Sequence, residues 1–213
     1  MTDTLHRILP QVQKPARYVG GEYNQIVKDK KNVDVRVAFC FPDTYEIGMS
    51  NIGMRILYGL MNEMPGVWCE RVFAPWGDME AEMRKHAIPL YALESHDPVK
   101  AFDLIAFTIG YEMSYTNILN MLELSCVPLL AREREGLENI VFAGGVCAVN
   151  PEPLADFIDF FSLGEGEEIT KEIIDCYRQV KKDGCTKQEF LLRVSKIDGV
   201  YVPSFYEHTY NED

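Results

Sequence analysis

The chain has 213 residues, 47% of them hydrophobic, which suffices for the core of one large domain with short appendages. A formal net charge of −12 at pH 7 would repel phosphate backbones, so we expect no direct binding to nucleic acid. No stretch reaches the roughly 18 to 20 continuous apolar residues of a membrane span, and the N-terminus lacks the apolar core of a signal peptide. We therefore expect a cytoplasmic protein with no membrane partner.

The six cysteines are spaced too widely for a metal or cluster motif. No two of them lie closer than nine positions, so neither CxxC nor CxxxCxxC occurs. Small thiols inside apolar runs are usually buried core residues. We expect no metal site in this chain.

The first 32 residues differ in pattern from the rest of the chain. Pro10 and Pro15 interrupt them, and residues 17–24 are turn-like, which predicts an N-terminal arm (residues 1–32) that packs on the domain. Residues 33–41 alternate and then become continuously apolar, which predicts the first and central strand. Pro42 ends this strand.

A polar loop, residues 43–51, connects the first strand to a predicted helix over residues 51–64. Apolar residues in that helix recur at helical spacing, and Ser50 or Asn51 is a suitable N-cap. A strand, a polar loop and a helix N-terminus in this order often bind anions or polar ligands, because unpaired backbone N–H groups point at the loop.

Strands and helices continue to alternate along the chain. Further strands are predicted over residues 67–74, 88–93, 102–109, 140–143 and 160–163, and further helices over residues 76–86, 116–124, 166–182 and 187–195. Residues 199–206 form an aromatic, strand-like tail. This alternation predicts an α/β fold, a doubly wound parallel sheet of five or six strands of the Rossmann-like or flavodoxin-like kind, over residues 33–183.

Two predicted strands end in glycine. The run over residues 140–143 ends in Gly144 and Gly145, and the run over residues 160–163 is followed by Gly164-Glu165-Gly166-Glu167. Glycine lets the backbone approach a ligand closely, and ligands of such sheets bind at the carboxyl ends of the strands. Ordinary strand-to-helix turns also use glycine, but two such ends within about twenty residues, the second with two carboxylates, favour a site.

Three motifs in order resemble a known family. Residues 43–53, Gly144-Gly145 with the following Asn150-Pro151-Glu152, and the GEGE segment together resemble the N-terminal cobalamin-binding-type domain of radical S-adenosylmethionine (SAM) proteins. Residues 15–22 and 199–203 are similar to one uncharacterised subfamily, in which this domain precedes a radical SAM domain. The resemblance covers nearly the whole chain.

The resemblance implies a cofactor-binding module that holds cobalamin at the carboxyl edge of its sheet. The [4Fe-4S] cluster and S-adenosylmethionine would belong to the radical SAM domain, the implied partner in the same polypeptide. Residues 184–213 would be a helix and strand-like linker towards that domain. The chain alone would then be inactive, and the parent protein a radical SAM enzyme.

One departure from the cobalamin signature concerns the cobalt ligand. The signature DxHxxG places a histidine below cobalt, whereas the equivalent residues here are Asp43, Tyr45 and Gly48. A neutral phenol is a poor cobalt ligand. Cobalamin-dependent radical SAM enzymes often hold the cofactor without a histidine, so the resemblance still implies cobalamin, with Tyr45 beneath the corrin.

The predicted site gathers the residues that follow the carboxyl ends of the strands. The predicted cofactor-binding residues are Asp43, Tyr45, Gly48, Ser50, Asn51, Thr108, Gly110, Glu112, Gly144, Gly145, Asn150 and Glu165. We expect them to line one crevice, with Glu165 in contact with a ligand or domain and Glu167 as a structural residue of the helix N-terminus.

Two other functions fit the same sequence. A degenerate Rossmann-like domain without cofactor could dock the radical SAM domain or its substrate, because fold alone does not determine function. Nucleotide or flavin binding is disfavoured, since GxGxxG is absent after the first strand and the carboxylates of the last glycine segment oppose phosphate.

Overall fold

The computed structural model describes residues 2–207 and 209. Residue 1 of the predicted arm and residues 208 and 210–213 of the predicted linker lie outside the described residues. A six-stranded sheet has the order β2-β1-β3-β4-β5-β6, with β1 to β5 parallel and β6 antiparallel to β5. The strands are β1 (Val35–Phe41), β2 (Val67–Phe73), β3 (Leu104–Thr108), β4 (Ile140–Gly144), β5 (Phe160–Ser162) and β6 (Val200–Tyr201).

Helices cover both faces of the sheet, which confirms the α/β, doubly wound fold. The α-helices are α1 (Thr2–Ile8), α2 (Tyr45–Ser50), α3 (Ile52–Glu63), α4 (Gly77–Lys85), α5 (Tyr115–Leu124), α6 (Gly166–Asp183) and α7 (Lys187–Val194). Buried residues of α1, α4 and α5 form the core on one face, and those of α3, α6 and α7 form the core on the other. Among the described residues, no helix combines the length and apolarity that crossing a bilayer requires.

The first strand is internal but not central, which corrects the prediction for residues 33–41. Strand β1 lies between edge strand β2 and β3, and β3 and β4 occupy the middle of the sheet. The order 2-1-3-4-5 is that of flavodoxin-like sheets, in which helices diverge to opposite faces after β1 and β3. Because α3 and α5 do diverge in this way, a crevice opens at the carboxyl ends of these strands.

The predicted strand over residues 88–93 is wrong. The segment runs beside β2, but only Leu93 donates a backbone hydrogen bond to it, to the oxygen of Arg71 at 2.9 Å. Leu90 instead donates to Leu124 O, and Ala92 to Asp97 O. The apolar run arises because these side chains are buried, not because the backbone joins the sheet.

The loop after β1 is partly helical, which the sequence did not predict. Helix α2 occupies most of it, and Asn51 separates α2 from α3. The Oδ1 atom of Asn51 accepts a hydrogen bond from Met54 N at 2.9 Å, so Asn51 rather than Ser50 caps α3.

The N-terminal segment contributes to the core and covers the outer edge of β2. Leu5 and Ile8 of α1 are 1% exposed. Further along, Trp68 of β2 donates its indole N–H to Ile26 O at 3.0 Å, and Tyr58 OH accepts from Ile26 N at 2.8 Å. Lys28 of the same segment donates its Nζ to the backbone oxygen of Val67, one of the groups that an edge strand leaves unpaired.

Candidate functional site

A cavity of about 250 Å³ lies at the carboxyl ends of β3, β4 and β5, beneath helices α3 and α6. Its walls are apolar and include Phe39, Leu57, Met61 and Phe142. The cavity lies where the ligand crevice of a doubly wound fold is expected, outside the carboxyl ends of the strands.

The floor of the cavity is one row of residues across the sheet. Thr108 pairs with Gly144, and Gly144 pairs with Ser162, in neighbouring parallel strands. The residues two positions earlier, among them Phe142 and Phe160, belong to the core beneath α3 and α6, so this row faces the same helices. Because Gly144 has no side chain, a hollow remains between two hydroxyl-bearing residues.

A methyl group at Gly144 would fill this hollow without a clash. Its Cβ would lie 3.4 Å from Ser162 O and 3.9 Å from Ser162 Oγ, which are ordinary contact distances. Gly144 also has no positive φ, so alanine is compatible with its backbone. Glycine at this position is therefore explained by the empty space and not by backbone conformation.

Three hydroxyl groups on the cavity wall have no protein partner. In the part of the chain that the structure describes, Thr108, Ser162 and Thr170 make no side-chain hydrogen bond, and their oxygens are not sealed from solvent. Ser162 and Thr170 are each only 7% exposed. Buried hydroxyls normally find a partner, so these groups are available to a ligand or to water within the cavity.

The neighbouring Gly145 has a different role. Its φ of +104° lies in a region that side-chain-bearing residues rarely adopt, and a Cβ would lie 2.7 Å from Ile109 O. A hydrogen bond from Ile109 N to Gly144 O, at 2.7 Å, also holds the loops after β3 and β4 close together. Gly145 therefore brings the loops after β3 and β4 together at the cavity rim.

Two carboxylates lie at the cavity mouth. Glu165 is the N-cap residue of α6 and Glu167 lies in its first turn; both are exposed and both line the cavity. The side chain of Glu165 makes no capping hydrogen bond. Both glutamates therefore have similar positions. The assignment of Glu165 to ligand or domain contact and of Glu167 to structure remains a prediction.

Of the twelve predicted site residues, four line this cavity: Thr108, Gly144, Gly145 and Glu165. That all twelve line one crevice stays a prediction. The other eight follow β1, β3 or β4, as predicted, and do not line this cavity.

Asp43 connects the loops after β1 and β3. Its carboxylate accepts a hydrogen bond from Tyr111 OH at 2.7 Å and another from Thr44 N at 2.6 Å. Gly110 precedes Tyr111 in the chain, and a Cβ built on it would meet no other atom within 4 Å. Burial raises the pKa of the Cys147 thiol, and the nearby Glu112 carboxylate raises it further.

Three more predicted residues make contacts within or between the loops. Ser50 Oγ donates to Ile47 O at 2.7 Å, and Asn51 caps α3. The backbone oxygen of Asn150 accepts from Tyr115 OH at 3.3 Å. These contacts organise the loops around the cavity.

Tyr45 and Gly48 lie on α2, directed away from the cavity. The Tyr45 ring packs edge-on against Phe73, with centroids 5.5 Å apart. Burial raises the pKa of the Tyr45 phenol, and the nearby Glu22 carboxylate raises it further, so the phenol is neutral at pH 7. A Cβ on Gly48 would lie 2.2 Å from the Phe73 ring, so Gly48 allows α2 to pack closely. Gly48 also lines a separate groove of about 720 Å³ between the arm and α3.

Two residues of the cavity, Ser162 and Thr170, were not predicted from the sequence. Ser162 is the one polar residue in the apolar run over residues 160–163, and it faces the same side as Phe160 two positions earlier. That position could have been found by aligning the two glycine-terminated strands. Thr170 gave no signal, because it looks like an ordinary helix residue between apolar positions.

Apolar side chains are exposed at the same end of the sheet as the cavity. Met113, Val146 and Val149, in the loops after β3 and β4, are 84%, 72% and 74% exposed, and Ile52 at the start of α3 is 70% exposed. Scattered exposed apolar residues are normal, but several of them in loops at one sheet edge are typical of a surface that binds a partner or ligand. Within residues 2–207 and 209, no group of His, Cys, Asp and Glu side chains could hold a metal ion.

Comparison with known proteins places the chain in a family. Residues 53–203 match the family described as the N-terminal part of radical SAM proteins. An uncharacterized protein of Methanocaldococcus jannaschii is 26% identical over 143 residues, which are 65% of this chain and 26% of that protein. The chain thus spans about a quarter of the length of this relative. No solved structure matches significantly. Because the family match covers more than half of the chain, this protein belongs to the family of radical SAM N-terminal domains.

Proposed function

We propose that this domain is the cofactor-holding module of a radical SAM protein and that its cavity receives the nucleotide tail of cobalamin. The observation that carries the proposal is the hollow at Gly144, between Thr108 and Ser162, at the carboxyl edge of the sheet. An alanine would fit there without strain, so the space is free for another group.

The dimensions and lining of the cavity support a tail and not a whole cofactor. About 250 Å³ is below the roughly 300–1,000 Å³ of common small-molecule pockets, so only part of a large cofactor would enter. Apolar walls formed by Phe39, Leu57 and Phe142 suit a flat base. The carboxylates of Glu165 and Glu167 oppose a phosphate, which favours the base as the group that enters.

The macrocycle would cover exposed apolar residues of the loops after β3 and β4, among them Met113, Val146 and Val149. In the part of the chain described, no histidine lines the cavity, and Tyr45 is neutral and faces elsewhere. In this proposal Tyr45 does not contact the base, because it packs against Phe73 and does not line the cavity; its position beneath the corrin stays a prediction. When bound, cobalamin supplies methyl-transfer chemistry; this domain would bind and orient it.

A second candidate is a docking domain that has lost the cofactor. The same exposed apolar residues favour it, because a neighbouring radical SAM domain, with its [4Fe-4S] cluster and S-adenosylmethionine, could cover them directly. In this alternative the cavity would contain only water.

The test is retention of hydroxocobalamin by the purified 213-residue chain after desalting, measured by the visible absorbance of the cofactor. We expect the native chain to retain it and Gly144→Ala to lose it, because the methyl group fills the hollow. Gly136→Ala is a matched control, since a Cβ there meets only Glu138 N at 3.8 Å, far from the cavity. It should retain the cofactor.

Failure of the native chain to retain any cofactor would contradict the cobalamin proposal and leave docking as the better account. Equal retention by the native chain and Gly144→Ala, with unchanged affinity, would place the cofactor outside this cavity.

A further inference from the structure

The three free hydroxyls come from three different elements. Thr108 ends β3, Ser162 ends β5, and Thr170 lies one turn inside α6. All three line the same cavity, and among the described residues none has a protein hydrogen-bond partner. A hydroxyl can donate and accept, so together they offer a hydrogen-bonding surface inside otherwise apolar walls.

We propose that the cavity selects a cobamide whose lower base is a purine over cobalamin, whose lower base is dimethylbenzimidazole. This inference rests on the proposed function and names the base that the cavity would recognise. Adenine has an exocyclic amine that donates and ring nitrogens that accept hydrogen bonds. The outer edge of dimethylbenzimidazole has two methyl groups, which can do neither.

Hydroxyl groups left unpaired in the cavity would disfavour the methylated base. The methylated edge of such a base would displace water from the hydroxyls of Ser162 and Thr170, which are 7% exposed, and would offer them no donor or acceptor in return. A site that hydrogen-bonds its ligand discriminates strongly against an analogue that lacks the matching group. Since two or more modest hydrogen bonds are involved, we expect a preference of about tenfold or more.

The geometry of the floor also suits a planar ring. Gly144 leaves the space between Thr108 and Ser162 empty, and the hydroxyl-bearing residues lie on either side of it in one row. A base lying in the hollow would have a hydroxyl-bearing residue on each side. Replacing the two hydroxyls by apolar groups of similar shape should therefore change which base binds, and not whether a base fits.

The experiment compares two probes on the native chain: hydroxocobalamin and the hydroxo form of the cobamide with adenine as lower base. Dissociation constants are measured by equilibrium dialysis with absorbance detection. The expected result is tighter binding of the adenine cobamide by about tenfold or more. Equal affinity, or tighter binding of cobalamin, would overturn the inference and leave the proposed function intact. No binding of either probe would overturn both.

Variants locate the source of the preference. Thr108→Val with Ser162→Ala removes two of the three hydroxyls and should largely remove the preference, by weakening the adenine cobamide and by no longer penalising cobalamin. Thr116→Val is the matched control, because Thr116 is exposed on α5 and does not line the cavity. A preference that survives the double change would contradict the role of these hydroxyls. The native-chain comparison needs no variant, so it remains decisive if the double variant folds poorly.

Discussion

Polar side chains at the two ends of the sheet differ in whether they have partners within the protein. At the amino end, Asp159 is buried beside the start of β5, accepts a hydrogen bond from Val141 N at 2.8 Å, and forms ion pairs with Arg134 at 3.1 Å and Lys187 at 2.6 Å. Asp103, beside the start of β3, likewise has several partners, including Arg36 N at 2.8 Å. Charges at this end are neutralised within the protein.

At the carboxyl end, buried polar groups lack protein partners and large apolar groups are exposed. Among the described residues, Ser162 and Thr170 have free hydroxyls in the cavity, while Met113 and Val149 extend into solvent. This contrast indicates that the amino end is organised for stability and the carboxyl end for contact with another molecule, which agrees with the general placement of sites in such sheets. Substitutions at the two ends should therefore have different effects on stability and on binding.

Asp159→Ala should have the largest effect on stability. The change leaves Arg134 and Lys187 buried without their anion, which costs about 3–5 kcal/mol of unfolding free energy. Urea unfolding followed by circular dichroism measures it. Glu165→Ala at the carboxyl end is the matched carboxylate control and should cost no more than about 0.5 kcal/mol. Similar losses from both changes would contradict the division between the two ends.

The adjacent glycines should separate stability from binding. Gly145→Ala forces a side chain into a conformation at φ +104° and against Ile109 O, and should lower the unfolding free energy by about 1–3 kcal/mol. Gly144→Ala should change stability by no more than about 1 kcal/mol while abolishing cofactor retention. The same denaturation and desalting assays test both. Equal destabilisation of the domain by Gly144→Ala and Gly145→Ala would contradict the different roles assigned to the two glycines.

Glu165 and Glu167 should differ in a smaller way. Glu167→Ala removes a carboxylate from the first turn of α6 and should cost about 0.3–1 kcal/mol at low salt, with little effect on a ligand. Glu165→Ala should preserve stability and weaken ligand binding or domain docking. Melting curves of both variants measure the change in stability, and cofactor titrations measure the change in binding. Equal loss of stability, with binding unchanged, would leave only a helix-terminus role for both.

Alkaline pH should affect the tail that carries β6. Burial, together with the hydrogen bond to Glu152, raises the pKa of Tyr201 from its ordinary value of 10.0 to about 12. Because the folded pKa is the higher one, the contribution of this group to stability is complete below pH 10 and is lost as pH rises towards 12. Tyr201→Phe should remove this pH dependence from the melting temperature and remove a high-pH step from the tyrosinate absorbance titration. A tyrosinate titration that is the same in the native chain and in Tyr201→Phe would contradict the assignment of this raised pKa to Tyr201.

The fold was largely predictable from apolar periodicity. Continuous apolar runs marked the buried parallel strands, and glycines marked the ends of β4 and β5. Periodicity was misleading for residues 88–93, because burial against β2 and pairing with β2 give the same apolar pattern. Helix α2 was predicted as a loop, since a six-residue helix gives too short a pattern to recognise.

The candidate site was only partly predictable. The rule that ligands bind at the carboxyl ends of strands identified Thr108, Gly144, Gly145 and Glu165. It could not tell which loop residues have partners in another loop, as Asp43 has in Tyr111. Nor could it show that Thr170 of α6 reaches the same cavity, because that depends on how α6 packs against α3.

Binding of a ligand at the carboxyl end can be detected by hydrogen-exchange mass spectrometry with and without excess hydroxocobalamin. We expect slower exchange on addition of the cofactor in residues 108–114, 144–150 and 162–170, because these segments contain residues that line the cavity or exposed apolar residues of the loops after β3 and β4. Exchange around Arg134, Asp159 and Lys187 at the amino end should not change. Protection that is absent from the carboxyl end, or that appears instead at the amino end, would contradict the assignment of the carboxyl end as the binding surface.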